Sequence, residues 1–206
     1  MTETKEAANL RSPRVMLSYP HLFIPNRAPG SDRDLYSCTL VFDSEAQGTA
    51  EFATMKAEAN RVLRERFGAQ TEMLFKAGQL RSPFIDGNIH AVKNPEFAGK
   101  VLIRCSSKMK PGVVDRALRP ITDESKIYPG CFVFASLNCY AYPNASATGP
   151  ATGNKGVSFG LRNIQFVADG TPLGGRSRPD DDFTSLDGDA FVADQREAAG
   201  GKEQMF

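Results

Sequence analysis

The sequence has no run of about 18 or more apolar residues, the length a membrane-crossing helix requires. Its first ten residues carry Glu3, Lys5 and Glu6 and no apolar stretch behind a basic start, so no secretory leader is read there either. CxxC pairs are also missing. Cys38, Cys105, Cys131 and Cys139 are scattered through apolar or alternating stretches, where a thiol behaves as a small hydrophobe. That pattern argues against zinc and disulfides and fits a reducing cytoplasm.

Histidine is scarce: His21 and His90 are the only two, and neither stands near an Asp or Cys at a spacing that suggests a pair. Asp86, Glu96, Asp115, Asp123 and Glu124 can be collected as carboxylates, yet their spacing matches no recognisable metal site. The glycine-rich piece Gly170 to Gly175 lacks the Lys-Ser/Thr of a phosphate-binding loop and precedes no helix. No nucleophile is paired with a base. The expectation is therefore a non-enzyme with no catalytic residue, metal or cofactor. A metal-dependent nuclease and a structural or host-interaction protein are the competing classes.

With 206 residues, 41% of them hydrophobic, the chain can bury one sizeable core. Its net charge of +1 is a cancellation. Before Pro179 lie 23 Lys+Arg and 16 Asp+Glu, giving 23 − 16 = +7; from Pro179 onward lie 2 and 8, giving 2 − 8 = −6. A basic body with an acidic appendage points to a nucleic-acid partner.

Arg14 to Tyr19 reads as a first strand stopped by Pro20, and Leu35 to Phe42 as a second, ended by Asp43-Ser44. Asp43 or Ser44 then caps a helix over about Ala46 to Phe67. Phe52, Met55, Ala59, Val62, Leu63 and Phe67 fall on one helical face, and Gly68 closes it. Lys100 to Ser106 is a third strand and Pro111 to Asp115 a turn with a short strand. Cys131 to Tyr142 is a long strand with two faces. Cys131, Val133, Ala135, Leu137, Cys139 and Ala141 make one; Phe132, Phe134, Ser136, Asn138, Tyr140 and Tyr142 make the other. Gly156 to Val167 is the last strand.

That order describes a mainly β chain, α+β by content: about five strands in an OB-like Greek-key barrel with one substantial inserted helix, long loops and a disordered acidic C-terminal tail. An α+β sandwich fits the same order. The boundaries read as a disordered start (1–10), a nucleic-acid-binding body (11–170), and a linker and tail (171–206).

A sequence-tolerant binder of single strands needs cations for phosphates interleaved with aromatic faces for bases. Phe132, Phe134, Tyr140 and Tyr142 are the stacking candidates, with Tyr36 beside them and Phe84, Phe97 and Phe159 as further ones. Lys100, Arg104, Lys108, Lys110 and Arg162 are the phosphate candidates among the body's basic residues. In the tail, Asp180, Asp181, Asp182 and Phe183, and later Phe206 at the end, alternate acids with large apolar side chains. A tethered polyanion can compete with nucleic acid for a basic groove, and a terminal aromatic can serve as a peg for a partner.

Four stretches carry a family likeness: Ser18-Tyr19-Pro20-His21-Leu22-Phe23, Tyr36-Ser37-Cys38-Thr39-Leu40, Tyr128-Pro129-Gly130-Cys131-Phe132-Val133, and Gly156 to Val167 followed by Leu173-Gly174-Gly175. Through them the chain resembles the OB-fold single-stranded DNA-binding proteins of tailed bacteriophages. The resemblance implies an OB barrel that coats single strands during phage replication, recombination or repair in the host cytoplasm. It also implies an acidic tail that recruits replication or recombination proteins. Arg196 and Lys202 separate the acidic cluster from Phe206, a departure from the usual tail. Duplex DNA, RNA and a homo-oligomeric state stay open.

Overall fold

Alternating apolar and polar residues send every second side chain of a strand to one face, and the computed structural model describes the resulting body over residues 9–27, 33–142 and 155–174. Residues 1–8, 28–32 and 143–154 lie outside the described residues. So does the acidic tail with Asp180, Asp181, Asp182, Phe183 and Phe206.

The strands are β1 (Leu10–Arg11), β2 (Val15–Arg27), β3 (Asp34–Phe42), β4 (Leu80–Arg81), β5 (Ile85–Asp86), β6 (Val101–Ser107), β7 (Gly112–Val114), β8 (Phe132–Tyr142) and β9 (Lys155–Ala168). Between β3 and β4 come α1 (Ser44–Gln47), α2 (Ala50–Phe67) and α3 (Thr71–Lys76). β2 pairs with β3, β3 with β6, β9 with β8 and β8 with β2, all antiparallel, while β6 and β9 run parallel. These five pairings return to the strand they start from. The short strands attach at the margins: β1 on β8, β5 on β6, and β4 and β7 on β9. The fold is thus sheet-rich α+β with one substantial helix.

Pro20 does not end the first strand as its sequence suggests. It falls in a register shift between Ser18 and His21, where the ladder asks for no N–H donor, and β2 continues to Arg27. The helix also starts later than expected. The Asp43 carboxylate accepts from the Ala46 N–H at 2.8 Å and caps only α1, and the main helix restarts on Thr49, whose hydroxyl accepts from the Phe52 N–H at 3.3 Å. Phe52, Met55, Ala59 and Leu63 are buried as their spacing requires. An aromatic chain, Phe42–Phe52–Phe84–Phe159 with centroids 5.0, 5.6 and 5.9 Å apart, tilted in the first pair and edge-on in the other two, ties α2 to the sheet.

Along β8 the small apolar face is the buried one: Val133, Ala135, Leu137 and Cys139, with Cys131 just ahead, are all at most 5% exposed. Each Val or Leu buried there contributes about 1.5–3 kcal/mol. The opposite row of β8 is left partly open to solvent. Beyond β9 the chain turns back on itself. Gly130 has φ +110°, and a Cβ on it would stand 2.0 Å from the Thr171 carbonyl oxygen. The Tyr128 hydroxyl donates to Asp169 at 2.7 Å and the Leu173 N–H to the Pro129 carbonyl at 2.9 Å. Leu173 packs against a small second cluster of Val41, Phe97 and Leu102.

Candidate nucleic-acid interface

Strand parity divides the side chains of β3 and β6. Cys38, Leu40, Ile103 and Cys105 join the main core, and the alternate residues face away from it. Over that second face lies a groove of about 520 Å³. Ser37 and Thr39 of β3 line it, directly opposite Ser106 and Arg104 of β6. Tyr19, His21 and Asn26 come to it from β2, and His90, Asn94 and Phe97 from the connection between β5 and β6. Ser158 of β9 completes the lining on another side. Both histidines of the chain line this groove although sequence spacing suggests no pair.

Each polar side chain has a local reason for its pose. Tyr19 sits at the β2 irregularity with φ +47°, a conformation rare outside glycine, and the residue is 54% exposed. Its hydroxyl donates to Asn94 Oδ1 at 3.1 Å. The His21 Nε2 lies 3.3 Å from the Asn26 amide nitrogen. Arg104 is exposed and makes no ion pair among the described residues, whereas Arg27, Arg61 and Arg119 are held by Asp34, Glu58 and Asp115.

The sequence candidates spread over a wider area than one groove. Tyr140, 40% exposed, stands opposite Ser158 and so adjoins the groove across the β8–β9 ladder. Tyr142 lies opposite Gly156, where an added Cβ would meet its hydroxyl at 2.9 Å, and burial pushes its pKa up. Phe132 and Phe134 occupy the other end of β8, roughly 33 and 26 Å along the strand from Tyr142 at about 3.3 Å per residue. Both are half-buried: Arg14 covers Phe132 with its guanidinium 4.7 Å from the ring centre, and Arg11 covers Phe134 at 4.0 Å.

Among the remaining candidates, Arg104 reaches the groove itself. Lys108 and Lys110 are exposed just past β6, with Lys110 Nζ 5.8 Å from the Phe23 ring. Arg162 is exposed where the β8–β9 register shifts. Lys100 is half-buried and its carbonyl accepts from the Gly87 N–H at 2.8 Å. Tyr36 is half-buried and shares the parity of the core residues Cys38 and Leu40. Three of the further aromatic candidates are corrected by packing: Phe159 and Phe97 are buried, and Phe84 packs edge-on against Phe52 and Phe159. Sequence reasoning passed over Tyr19, His21, His90, Asn94, Arg11 and Arg14 as site residues. The stretch Ser18 to Phe23, one of those carrying the family likeness, was the available signal.

The family described as "Enterobacter phage Enc34, ssDNA-binding protein" matches residues 9–193. The chain belongs to that family. A curated relative, "Putative protein p50" of Acyrthosiphon pisum secondary endosymbiont phage 1, is 28% identical over 166 residues, covering 78% of this chain and 84% of that protein. Among solved structures, the fold is similar to the single-stranded DNA-binding protein from bacteriophage Enc34 in complex with ssDNA, with a TM-score of 0.63, 20% identity, and 80% and 88% of the two chains covered. It is also similar to gp2.5, a single-stranded DNA-binding protein encoded by bacteriophage T7, with a TM-score of 0.56, 17% identity, and 88% and 97% covered. Among the described residues no group of three or more His, Cys, Asp or Glu is placed to hold a metal, and no helix is long and apolar enough to cross a membrane.

Proposed function

We propose that this protein binds single-stranded DNA with little sequence preference, coating and protecting it during phage DNA replication, recombination or repair. The observation that carries the reading, in a chain of this family, is that Tyr140 stands opposite Ser158, a residue of the cleft that also contains the exposed Arg104. Stacking is sequence-tolerant because every base has a π-face, and Arg104, Lys108, Lys110 and Arg162 supply phosphate partners along the same body. Phe132 and Phe134 extend the Tyr140 row of β8, with the guanidiniums of Arg14 and Arg11 lying over their rings. Lys100 and Tyr36 belong to its margin.

The finer architecture in this proposal is an OB-like five-stranded barrel made of β2, β3, β6, β8 and β9. The returning ring of pairings and the parallel β6–β9 contact support it. In OB folds the face of the second and third strands binds oligonucleotides. Here those strands are β3 and β6, which line the groove. In the tail, Asp180, Asp181, Asp182 and Phe183 compete with DNA for the body, and Phe206 engages replication or recombination proteins.

An electrophoretic mobility assay with a labelled single-stranded oligonucleotide, run with and without magnesium, tests the proposal. The expected result is a retarded and intact oligonucleotide in both lanes. Magnesium-dependent shortening would favour a nuclease instead.

A further inference from the structure

Resting on the single-strand-binding reading above, we infer that Tyr19 is the principal stacking platform of the groove. With His21, His90 and Arg104 it forms a subsite for one unpaired nucleotide, base against the tyrosine ring and phosphate against the guanidinium. The candidate aromatic rings are not equally free. Phe132 and Phe134 already carry arginine cations, Tyr142 lies against Gly156, and Tyr36 has core parity. Tyr19 is 54% exposed at the groove and more open than Tyr140 at 40%.

Its placement is also enforced from two sides. The β2 irregularity holds Tyr19 at φ +47°, and Asn94, from a segment 75 residues away in sequence, accepts the hydrogen bond from its hydroxyl. A non-glycine residue kept in that region costs free energy that the surrounding structure must offset, a pattern concentrated at ligand-binding positions. A ring anchored by its hydroxyl loses little rotational freedom when a base stacks on it. The cleft beside it, about 520 Å³, falls in the range of small-molecule sites. Its lining offers a cation (Arg104), two imidazoles and the hydroxyls of Ser37, Thr39 and Ser106 for the sugar-phosphate and base edges.

Fluorescence anisotropy of a labelled oligo(dT) with the full chain, Tyr19→Phe and Tyr19→Ala tests this. Tyr19→Phe keeps the ring and is expected to stay within about threefold of the parent. Tyr19→Ala should weaken binding about 5- to 150-fold, the equivalent of ~1–3 kcal/mol. Parent-like binding by Tyr19→Ala overturns the assignment. So does an equal loss in both variants, which would assign the effect to the hydroxyl rather than the ring. Failure of the parent itself to bind would instead sink the function proposed above. A second measurement needs no variant: photocross-linking of the unaltered protein to a 5-bromodeoxyuridine oligonucleotide should place an adduct within Val15–Arg27. Adducts confined to Phe132–Tyr142 contradict the inference.

Discussion

The Arg11 guanidinium lies 4.0 Å from the centre of the Phe134 ring, so the N-terminal strand lays a cation over an aromatic that sequence alone presents as free. A half-exposed pair of this kind is worth about 0.5–1 kcal/mol. Phe134→Leu should therefore lower stability by roughly that amount plus a small packing loss, read as the urea midpoint. Its effect on oligonucleotide affinity should be smaller than that of Tyr140→Ala, because Tyr140 adjoins the groove. A greater loss of affinity in Phe134→Leu would move the centre of the interface to the other end of β8.

Arg104 offers a direct electrostatic check. Exposed in the groove and without an ion pair among the described residues, it should neutralise one phosphate. Arg104→Gln should then reduce the log–log salt slope of binding by about 0.7, the value for one single-strand phosphate contact. Stability should change little, since no described carboxylate loses a partner. An unchanged slope would place Arg104 off the DNA path.

Gly130 tests the closing turn. At φ +110° and with the Thr171 carbonyl in the space of a Cβ, Gly130→Ala meets both backbone strain and a clash. The loss should exceed about 1 kcal/mol by thermal or urea unfolding. Gly68→Ala, at φ +56° with nothing within 4 Å of the added Cβ, should cost less. Equal losses would mean that the Thr171 contact does not form.

Asp115 gives a pH signature. The Arg119 backbone N–H above all holds its carboxyl below the ordinary value, against the opposing effect of burial and with help from the Arg119 side chain and the Ala117 N–H. Because the folded value is lowered, the stabilisation is complete above the unfolded Asp value of about 3.9 and is lost as pH falls through the folded value. The urea midpoints of the parent and Asp115→Asn should differ at neutral pH and converge in acid. A gap that persists undiminished at the lowest pH would refute the assignment.

Periodicity made two elements legible. The alternation from Cys131 to Tyr142 identified which face of β8 is buried, and the spacing of Phe52, Met55, Ala59 and Leu63 gave the buried stripe of α2. Elements of two or three residues such as β4, β5 and β7 are too short to show a period, and their pairing depends on β6 and β9. Pro20 misled because proline breaks a ladder only where an N–H is needed. The groove was illegible for a different reason: Tyr19, Asn94, Arg104 and Ser158 become neighbours only through β2, β3, β6 and β9, and no local spacing encodes that. Phe159 and Phe84 stand behind Tyr140 as stacking candidates in sequence, and only three-dimensional packing shows that the first is a core ring and the second packs against it.

The central claim is tested most directly by equilibrium titration of a labelled oligo(dT) at two salt concentrations, with the full chain and with the chain ending at Gly175. The expected result is saturable binding that weakens with salt, by about 0.7 in log–log slope per phosphate contacted, and that tightens at low salt when the acidic segment is removed. Absence of binding to any single-stranded oligonucleotide by either form would contradict the account.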